Sequence, residues 1–555
     1  MPKVYDAVVV GSGAAGGMAA TELCLKGLKV LLLEAGPDLD IASDFHHHTK
    51  PYEFPFRGRI RPRERAKYNY CANEWNKPHF VNELENPYTG KPYVWVRARA
   101  VGGKTLHWGL VSLRFSPRDF QAARYDGYGD NWPITYEDVE PYYARVEKMI
   151  GVCGHADHLE NNPDSFFLKP VPFTCPEWIF KRTVESKLPD RHVIHGRSAT
   201  ATEPINGRAP CHYCGHCGRV CNVAAAFSSK GVLLPIAQKT GNLTLRANAV
   251  AWKVLLDSEG KARSVLFVDR LTRQTEEAYG KVIVLGAGSL ESTRILLNSG
   301  DHERPTGLGN SSGVLGKYFC EQIMAGDIMG LIPRLRGNRN TAGDARPDGT
   351  GIYIPRFRNL REKRSDFIRG YGFEGGGGSS EYPGFARKIP GFGAKFKEDI
   401  KKNYATVISI GSFGEVLPRA ENYVEIDPVV KDAWGIPVLR FNIEWGPNEL
   451  AMAKDMIETQ REMFRAAGIE TLSERTKPLP PGWSIHEAGT ARMGDDPKKS
   501  VLNKFNQCHD IKNLYVADAA CFVSSSEKNP TLTILALAMR AADHIAEEMK
   551  RGAFA

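Results

Sequence analysis

The 555-residue sequence contains no long apolar run of the kind that a membrane-spanning helix requires. A membrane-spanning helix needs about 20 consecutive apolar residues, and no stretch approaches that length. The first residues also lack the charged and then apolar segments of a secretion signal. We therefore expect no transmembrane segment and no export signal in the chain itself.

Long runs of Lys and Arg with interleaved aromatic residues are also missing, although the formal net charge is +9. Proteins that bind nucleic acid usually concentrate such residues, so no nucleic-acid partner is expected. The 11 cysteines do not suggest a disulfide framework, because their number is odd and seven of them are scattered singly. The length is sufficient for two or three domains.

The first 34 residues have the pattern of a strand, a glycine-rich turn, a helix and a second strand. Gly11, Gly13 and Gly16 supply the spacing G-x-G-x-x-G, and Glu34 ends the second strand. In such a unit the glycines permit a tight turn, close approach to a pyrophosphate and close helix packing. The pattern predicts dinucleotide binding, with Glu34 at a ribose hydroxyl, but does not distinguish NAD from FAD.

Four cysteines fall within eleven residues, in the run CHYCGHCGRVC. Their spacing, C-x2-C-x2-C-x3-C, is that of bacterial iron–sulfur ferredoxins. Zinc sites usually need two C-x2-C pairs that lie further apart, and disulfides between cysteines three apart are strained. The spacing favours an iron–sulfur cluster, with zinc as the alternative. The predicted ligands are Cys211, Cys214, Cys217 and Cys221.

The remaining patterns predict an α/β chain with two domains. Residues 1–330 and 446–555 are expected to form a discontinuous nucleotide-binding domain, with the cysteine loop 205–225 inserted. A second domain, built on an antiparallel sheet, is expected at 331–445 with contributions from about 38–95.

We assign no catalytic role to two stretches of the sequence that lack a regular pattern. The adjacent histidines 46–48 point in different directions, which favours a solvated loop over a metal site. The stretch near 335–400 is rich in Gly and Arg and is expected to be a mobile basic insertion.

Five motifs, in this order, resemble the glucose–methanol–choline (GMC) oxidoreductases, which are FAD enzymes. They are the N-terminal fingerprint, NWPITYEDVEPYY, GAGSLESTRILLNSG, SIHEAGTARMG and NPTLTI, and the resemblance covers nearly the whole chain. It implies FAD rather than NAD, held by a Rossmann-like domain of the GMC or glutathione-reductase type. The most similar branch contains bacterial sugar dehydrogenases that act on glucose, gluconate or position 3 of glucosides.

The resemblance also implies roles for single residues. His486 would be the catalytic base and Asn529 its partner, while the flavin takes the hydride. An imidazole suits this task because its ordinary pKa of about 6.5 lies near working pH. In similar pyranose oxidases the histidine of a GG-x3-HW stretch is bonded to the flavin, so covalent and non-covalent FAD both remain open at His107. The other implied FAD contacts are Gly102, Gly103, Trp108, Val250, Asp518 and Ala519.

Similar FAD glucose dehydrogenases carry a three-iron cluster whose spacing is matched by Cys211, Cys217 and Cys221. A 3Fe-4S cluster is therefore the first expectation, and 4Fe-4S the alternative if Cys214 is a fourth ligand. A cluster carries one electron and reduced flavin carries two. The pair would thus pass single electrons to an external acceptor, such as cytochrome c or a quinone.

The expected reaction is oxidation of a secondary or anomeric hydroxyl of a sugar or glycoside, with C3 of glycosides as the first choice. Gluconate 2-dehydrogenase and glucose 1-dehydrogenase activities are alternatives, as is a pyranose-oxidase-like enzyme with a structural zinc knuckle. A non-catalytic electron-transfer flavoprotein is a further alternative, although such a protein needs no base.

Similar sugar dehydrogenases also imply a location for the enzyme. They are commonly exported in the folded state with a small chaperone-like partner subunit. We therefore expect the periplasmic side of the bacterial inner membrane, with the cytoplasm as the alternative.

Overall fold

The structure is a computed structural model that describes residues 2–47, 49–50, 52–338, 346–378 and 384–554. His48, and the parts of the predicted basic insertion that fall at 339–345 and 379–383, lie outside the described residues. Within the described part, no helix is both long enough and apolar enough to cross a membrane.

The strands are β1 (Val4–Val10), β2 (Val30–Leu33), β3 (Thr89–Gly90), β4 (Ile194–His195), β5 (Leu243–Arg246), β6 (Ala249–Leu256), β7 (Ala262–Asp269), β8 (Thr275–Leu285), β9 (Gln322–Leu331), β10 (Ile352–Ile354), β11 (Tyr371–Gly377), β12 (Val407–Glu415), β13 (Tyr423–Lys431), β14 (Pro437–Asn442), β15 (Glu470–Glu474) and β16 (Leu514–Val516). The helices are α1 (Ala14–Leu25), α2 (Ile41–Asp44), α3 (Pro117–Phe120), α4 (Ala122–Asp126), α5 (Tyr136–Ile150), α6 (Cys175–Lys187), α7 (Leu234–Lys239), α8 (Ser289–Asn298), α9 (Gly393–Asn403), α10 (Pro447–Ala467) and α11 (Thr531–Lys550).

A seven-stranded sheet forms the larger layer. Its order is β5-β2-β1-β8-β7-β6, and β16 also pairs with β8. β1 is parallel to β2 and β8, and its last four residues are buried, as expected for a parallel strand covered on both faces. The helices α1 and α11 pack together beside this sheet, and α11 is buried along most of its length.

Gly16 explains how closely α1 approaches the first turn. A Cβ placed at Gly16 would lie 1.8 Å from the carbonyl oxygen of Gly11, a distance that no side chain tolerates. The third glycine of the fingerprint therefore serves helix packing, as predicted.

A six-stranded sheet forms the second layer, in the order β15-β9-β12-β11-β10-β4. All its pairings are antiparallel, and α10 packs against one face through methionine and aromatic side chains. The predicted α/β fold with a second, antiparallel sheet is thus confirmed. The strands β4 and β15 lie outside 331–445, and β9 enters that range only with Leu331, so this sheet is wider than the predicted domain. The domain division itself stays a prediction. A small sheet, β13-β14-β3, completes the fold.

A buried ion group fastens the loop before α11 to the rest of the chain. The Lys528 ammonium lies 2.9 Å from the Asp119 carboxylate and 2.7 Å from the Glu527 carboxylate, and all three side chains are buried. Burial opposes the charge on Lys528, but the two carboxylates outweigh it and raise the pKa of this side chain. The loop 524–529 is thereby held against α3.

Removing this buried cation should destabilise the protein strongly. We expect Lys528→Ala to lower the free energy of unfolding by about 3–5 kcal/mol, because two carboxylates would be left buried without their partner. Urea denaturation followed by circular dichroism measures the change. The control is Lys454→Ala at an exposed position of α10, where little change is expected. Equal midpoints for the two variants would contradict the role assigned to Lys528.

Candidate active site

A cavity of about 500 Å³ extends from the carboxyl ends of β1 and β2 to one face of the six-stranded sheet. Parallel α/β sheets commonly bind their ligands at this edge. Most of the residues predicted from the sequence line it, although they are far apart in the chain. They are Gly11, Gly13, Glu34, Gly103, His107, Trp108, Val250, His486, Asp518, Ala519 and Asn529. Gly16, Gly102 and the four clustered cysteines are not among the lining residues.

At one end of the cavity, the fingerprint turn at Gly11 touches the turn at Gly286 and is hydrogen-bonded to the turn at Gly102. Gly11 has a φ of +92°, and a Cβ there would lie 2.5 Å from the carbonyl oxygen of Gly286. The Ser12 hydroxyl donates to Glu34 Oε2 at 2.6 Å and accepts from the Gly102 amide at 2.9 Å. Gly102 therefore does not line the cavity; its amide joins the turn at Gly102 and Gly103 to the fingerprint.

The opposite wall of this end is fixed by a buried carboxylate. Asp518 accepts from the Gly288 amide at 3.0 Å and from the Ser292 hydroxyl at 2.5 Å, which ties it to the start of α8. Burial raises the pKa of Asp518, and these bonds partly offset that rise. A glycine cradle at the N-terminus of α1, with the buried Glu34 beside it, suits a pyrophosphate and a ribose. The residues present therefore fit FAD.

At the other end, the ring of His486 is held in one orientation. Its Nδ1 lies 2.6 Å from Gln322 Oε1. The amide nitrogen of Gln322 in turn donates to the carbonyl oxygens of Ser526 and Lys528, at 2.6 and 2.8 Å. Because the Gln322 oxygen must accept, Nδ1 of His486 carries the proton and Nε2 presents its lone pair. Gln322 lies outside the predicted site residues.

The pKa of His486 differs from the sequence-based expectation of about 6.5. Burial lowers the pKa to about 3, and the nearby Lys104 cation contributes to the shift. The Lys104 ammonium lies 2.6 Å from the Glu487 carboxylate, so a charged pair stands beside the base. His486 is consequently neutral throughout the physiological pH range, and the lowered pKa makes it a weaker base than an ordinary imidazole. Its catalytic role stays a prediction.

Asn529 lines the same end of the cavity. Its Oδ1 is enclosed and has no hydrogen-bond partner among the described residues. Its side chain interacts with the Glu374 carboxylate and partly offsets the rise in the pKa of that group, and Glu374 also lines the cavity. Glu374 was not predicted from the sequence. The only feature of the nearby sequence that could have drawn attention to it is the set of glycines around it, in YGFEGGGG.

His107 has both ring nitrogens engaged by the protein. Nδ1 lies 2.8 Å from the carbonyl oxygen of Gly218, and Nε2 lies 3.2 Å from Nδ1 of His79. Its neighbour Trp108 donates through Nε1 to the carbonyl oxygen of Phe227 at 2.9 Å. These contacts favour the non-covalent alternative for FAD, because no ring nitrogen of His107 is left for a bond to flavin.

The structure does not bring the clustered cysteines together as ligands. Among the described residues, no three His, Cys, Asp or Glu side chains form a group that could hold a metal ion. Cys214 is exposed, whereas Cys211 and Cys221 pack against a small apolar cluster. Burial raises the pKa of Cys211 and Cys217. The four thiols have the right chemistry for a cluster, but the described residues are not grouped as a ligand set. The loop still reaches the cavity wall through Gly218.

Family models agree with the geometry. Residues 6–46 match an FAD binding domain, and residues 196–322 and 418–538 match two models described as GMC oxidoreductase. The chain belongs to the GMC oxidoreductase family. It is accordingly an FAD-dependent oxidoreductase acting on CH–OH groups, as the motifs predicted.

Two curated relatives match this GMC oxidoreductase over almost its full length. A 2-methyl-1,2-propanediol dehydrogenase of Mycolicibacterium austroafricanum is 29% identical, over 97% of this chain and 95% of the relative. The fructose dehydrogenase large subunit of Gluconobacter japonicus is 27% identical, over 99% and 98%. A solved structure of an FAD-dependent oxidoreductase from Chaetomium thermophilum superposes with a TM-score of 0.63 at 14% identity, covering 98% of this chain and all of that one. This last likeness supports the fold alone.

Loss of the imidazole should remove the base without removing the cofactor site. We expect His486→Ala to lower turnover by roughly 10²–10⁴-fold, the range for a positioned proton acceptor. Bound FAD, measured by visible absorption, should remain at the wild-type level. His302→Ala, at an exposed position, is the matched control. Near-normal turnover in His486→Ala would exclude this residue from the chemistry.

FAD should be released when the protein is denatured, because both ring nitrogens of His107 are engaged. The measurement is acid precipitation followed by flavin absorption of the supernatant and of the washed pellet. Flavin that stays with the pellet after washing would show a covalent link instead.

Proposed function

We propose that this protein is a dehydrogenase that oxidises a hydroxyl-bearing carbon of a sugar or polyol. The observation that carries the proposal is the His486–Gln322 hydrogen bond, which presents an unprotonated Nε2 to a cavity shared with the dinucleotide fingerprint. An electron-transfer flavoprotein without chemistry of its own would need no such base.

The chain's own residues divide the work as follows. His486 Nε2 accepts the hydroxyl proton, and Asn529 helps to orient the alcohol. The bound FAD supplies the hydride acceptor. Gln322 keeps the imidazole in the tautomer that accepts at Nε2. The charged pair of Lys104 and Glu487 lies beside the histidine and belongs to its electrostatic environment.

The names of the relatives support a polyhydroxylated substrate. One acts on a branched propanediol and the other on fructose, and both are dehydrogenases. Oxidation at C3 of a glycoside remains the first choice from the resemblance. Gluconate 2-dehydrogenase and glucose 1-dehydrogenase activities remain alternatives.

The external acceptor is proposed to be a cytochrome c or a quinone. The iron–sulfur relay, with 3Fe-4S before 4Fe-4S, stays a prediction from the cysteine spacing, and the proposed chemistry takes no step through it. The structural zinc of the pyranose-oxidase-like alternative meets the same difficulty, because no described group of side chains is arranged to hold a metal.

A partner subunit and a periplasmic location also remain proposals. The relative from Gluconobacter japonicus is named a large subunit, which supports assembly with a smaller protein. Fractionation of native cells tests both points. Recovery of the protein only as a free cytoplasmic monomer or homo-oligomer would contradict them.

A dye-reduction screen of the purified holoenzyme tests the proposed activity. Glucosides, glucose, gluconate, fructose and 1,2-propanediol should be compared under anaerobic conditions. At least one should bleach the flavin absorption near ~450 nm, because the hydride is transferred to FAD. If wild-type protein with full FAD content reduces the dye with none of these alcohols, the proposal is wrong.

Metal and thiol analysis tests the cysteine loop separately. The cluster hypothesis predicts about three irons, with acid-labile sulfide, per FAD. The described arrangement instead predicts neither iron nor acid-labile sulfide. Cys214 is exposed, so it should react promptly with a thiol reagent unless it is the fourth ligand of a 4Fe-4S cluster. Cys217→Ser should abolish the iron signal under the first hypothesis and leave the Cys214 reaction unchanged under the second.

A further inference from the structure

Glu374 is a cavity-lining carboxylate for which the proposed chemistry has no task. Its Oε1 is enclosed, yet it has no hydrogen-bond partner among the described residues. Burial raises the pKa of Glu374 to about 7, and the Asn529 side chain opposes the rise. The other oxygen, Oε2, is not enclosed, and Glu374 is only half-buried in the cavity wall, so a ligand that supplies a donor to Oε2 would be stabilised there.

The sheet leaves open space beside this carboxylate. Glu374 pairs with Gly411 across the β11–β12 ladder, and its same-face neighbours along β11 are Gly372 and Gly376. A Cβ placed at Gly411 would meet nothing within 4 Å. Tyr353 covers the β10 side of this face, so the open space next to Glu374 lies on the β12 side, above Gly411.

The same register places Glu374 near the base. Gly372 pairs with Phe413, whose ring centroid lies 5.9 Å from that of His486. Glu374 is one same-face step from Gly372, about 7 Å along the strand. Asn529, the other residue predicted to contact the reacting alcohol, lines the same cavity and acts on the pKa of Glu374.

Two hydrogen-bond acceptors consequently lie at one end of the cavity. They are His486 Nε2 and the oxygen of Glu374 that is not enclosed, Oε2. A simple alcohol brings one hydroxyl proton, and the proposed chemistry gives that proton to His486. A substrate that brings a further O–H or N–H group can donate to the Glu374 carboxylate, which otherwise has only water as a donor.

We propose that Glu374 is a specificity-determining residue that accepts a hydrogen bond from a second donor, a hydroxyl or an ammonium, next to the reacting carbinol. This inference rests on the proposed function and deepens it. It assigns vicinal diols and amino alcohols to the site as the preferred substrate class, ahead of simple alcohols.

Three matched ring alcohols test the assignment in the FAD-loaded enzyme: cyclohexanol, trans-1,2-cyclohexanediol and trans-2-aminocyclohexanol. In wild type, kcat/KM for at least one bifunctional alcohol should exceed that for cyclohexanol by about 10- to 150-fold, the range expected for a hydrogen bond to a carboxylate. Glu374→Leu should bring this ratio close to 1. Glu362→Leu, at an exposed position before β11, should leave the ratio unchanged.

Glu374→Gln distinguishes the two kinds of donor. Its amide oxygen still accepts from a hydroxyl, so a preference for the diol should persist, whereas a preference for the ammonium should fall. FAD content and melting temperature are measured for every variant, so that an unfolded protein is not scored as a change of specificity. Equal loss of kcat/KM for all three alcohols in Glu374→Leu would indicate a structural role and overturn the inference.

Failure of the inference differs from failure of the proposed function. A wild-type enzyme that oxidises cyclohexanol as fast as both bifunctional alcohols contradicts only the role of Glu374. A wild-type enzyme that oxidises none of the three ring alcohols and no alcohol of the dye screen contradicts the proposed function, and the inference with it.

Discussion

The orientation of the His486 ring, at the catalytic end of the cavity, depends on one hydrogen bond, from His486 Nδ1 to Gln322 Oε1. His486 is the donor in this bond because the amide nitrogen of Gln322 is engaged by two carbonyl oxygens of the loop 524–529, which leaves the Gln322 oxygen to accept. The same loop is fastened by the buried ion pairs of Lys528. The tautomer of a single histidine is therefore set by a chain of contacts that begins at α3, far away in sequence.

This connection explains why a costly buried ion group is present. Burying an ammonium between two carboxylates contributes little net stability compared with apolar packing, since desolvation offsets most of the attraction. Buried ion pairs can instead favour one conformation of a loop over its alternatives, as buried polar groups do in some proteins. Asn529 follows Lys528 directly, so the ion group positions both residues that are predicted to contact the alcohol.

The sequence predicted those parts of the site that depend on local patterns. The fingerprint glycines, Glu34 and the late motifs could be identified because a tight turn or a family motif restricts the residue type at each position. Gln322 and Glu374 could not, because each acquires its role from a strand register that joins segments far apart in the chain. The width of the second sheet escaped prediction for the same reason: β4 and β15 are too short to give a clear alternating pattern.

The cysteine loop shows where spacing and three-dimensional arrangement diverge. Spacing identifies thiols that can reach a common centre, whereas a ligand set also needs them turned towards that centre. The described thiols do not form such a group, and two of them pack with apolar neighbours. The loop nevertheless touches the cavity wall, because the carbonyl oxygen of Gly218 engages His107. A change in the position of this carbonyl would alter the hydrogen bonding of His107, so the loop and the environment next to the FAD site share this contact.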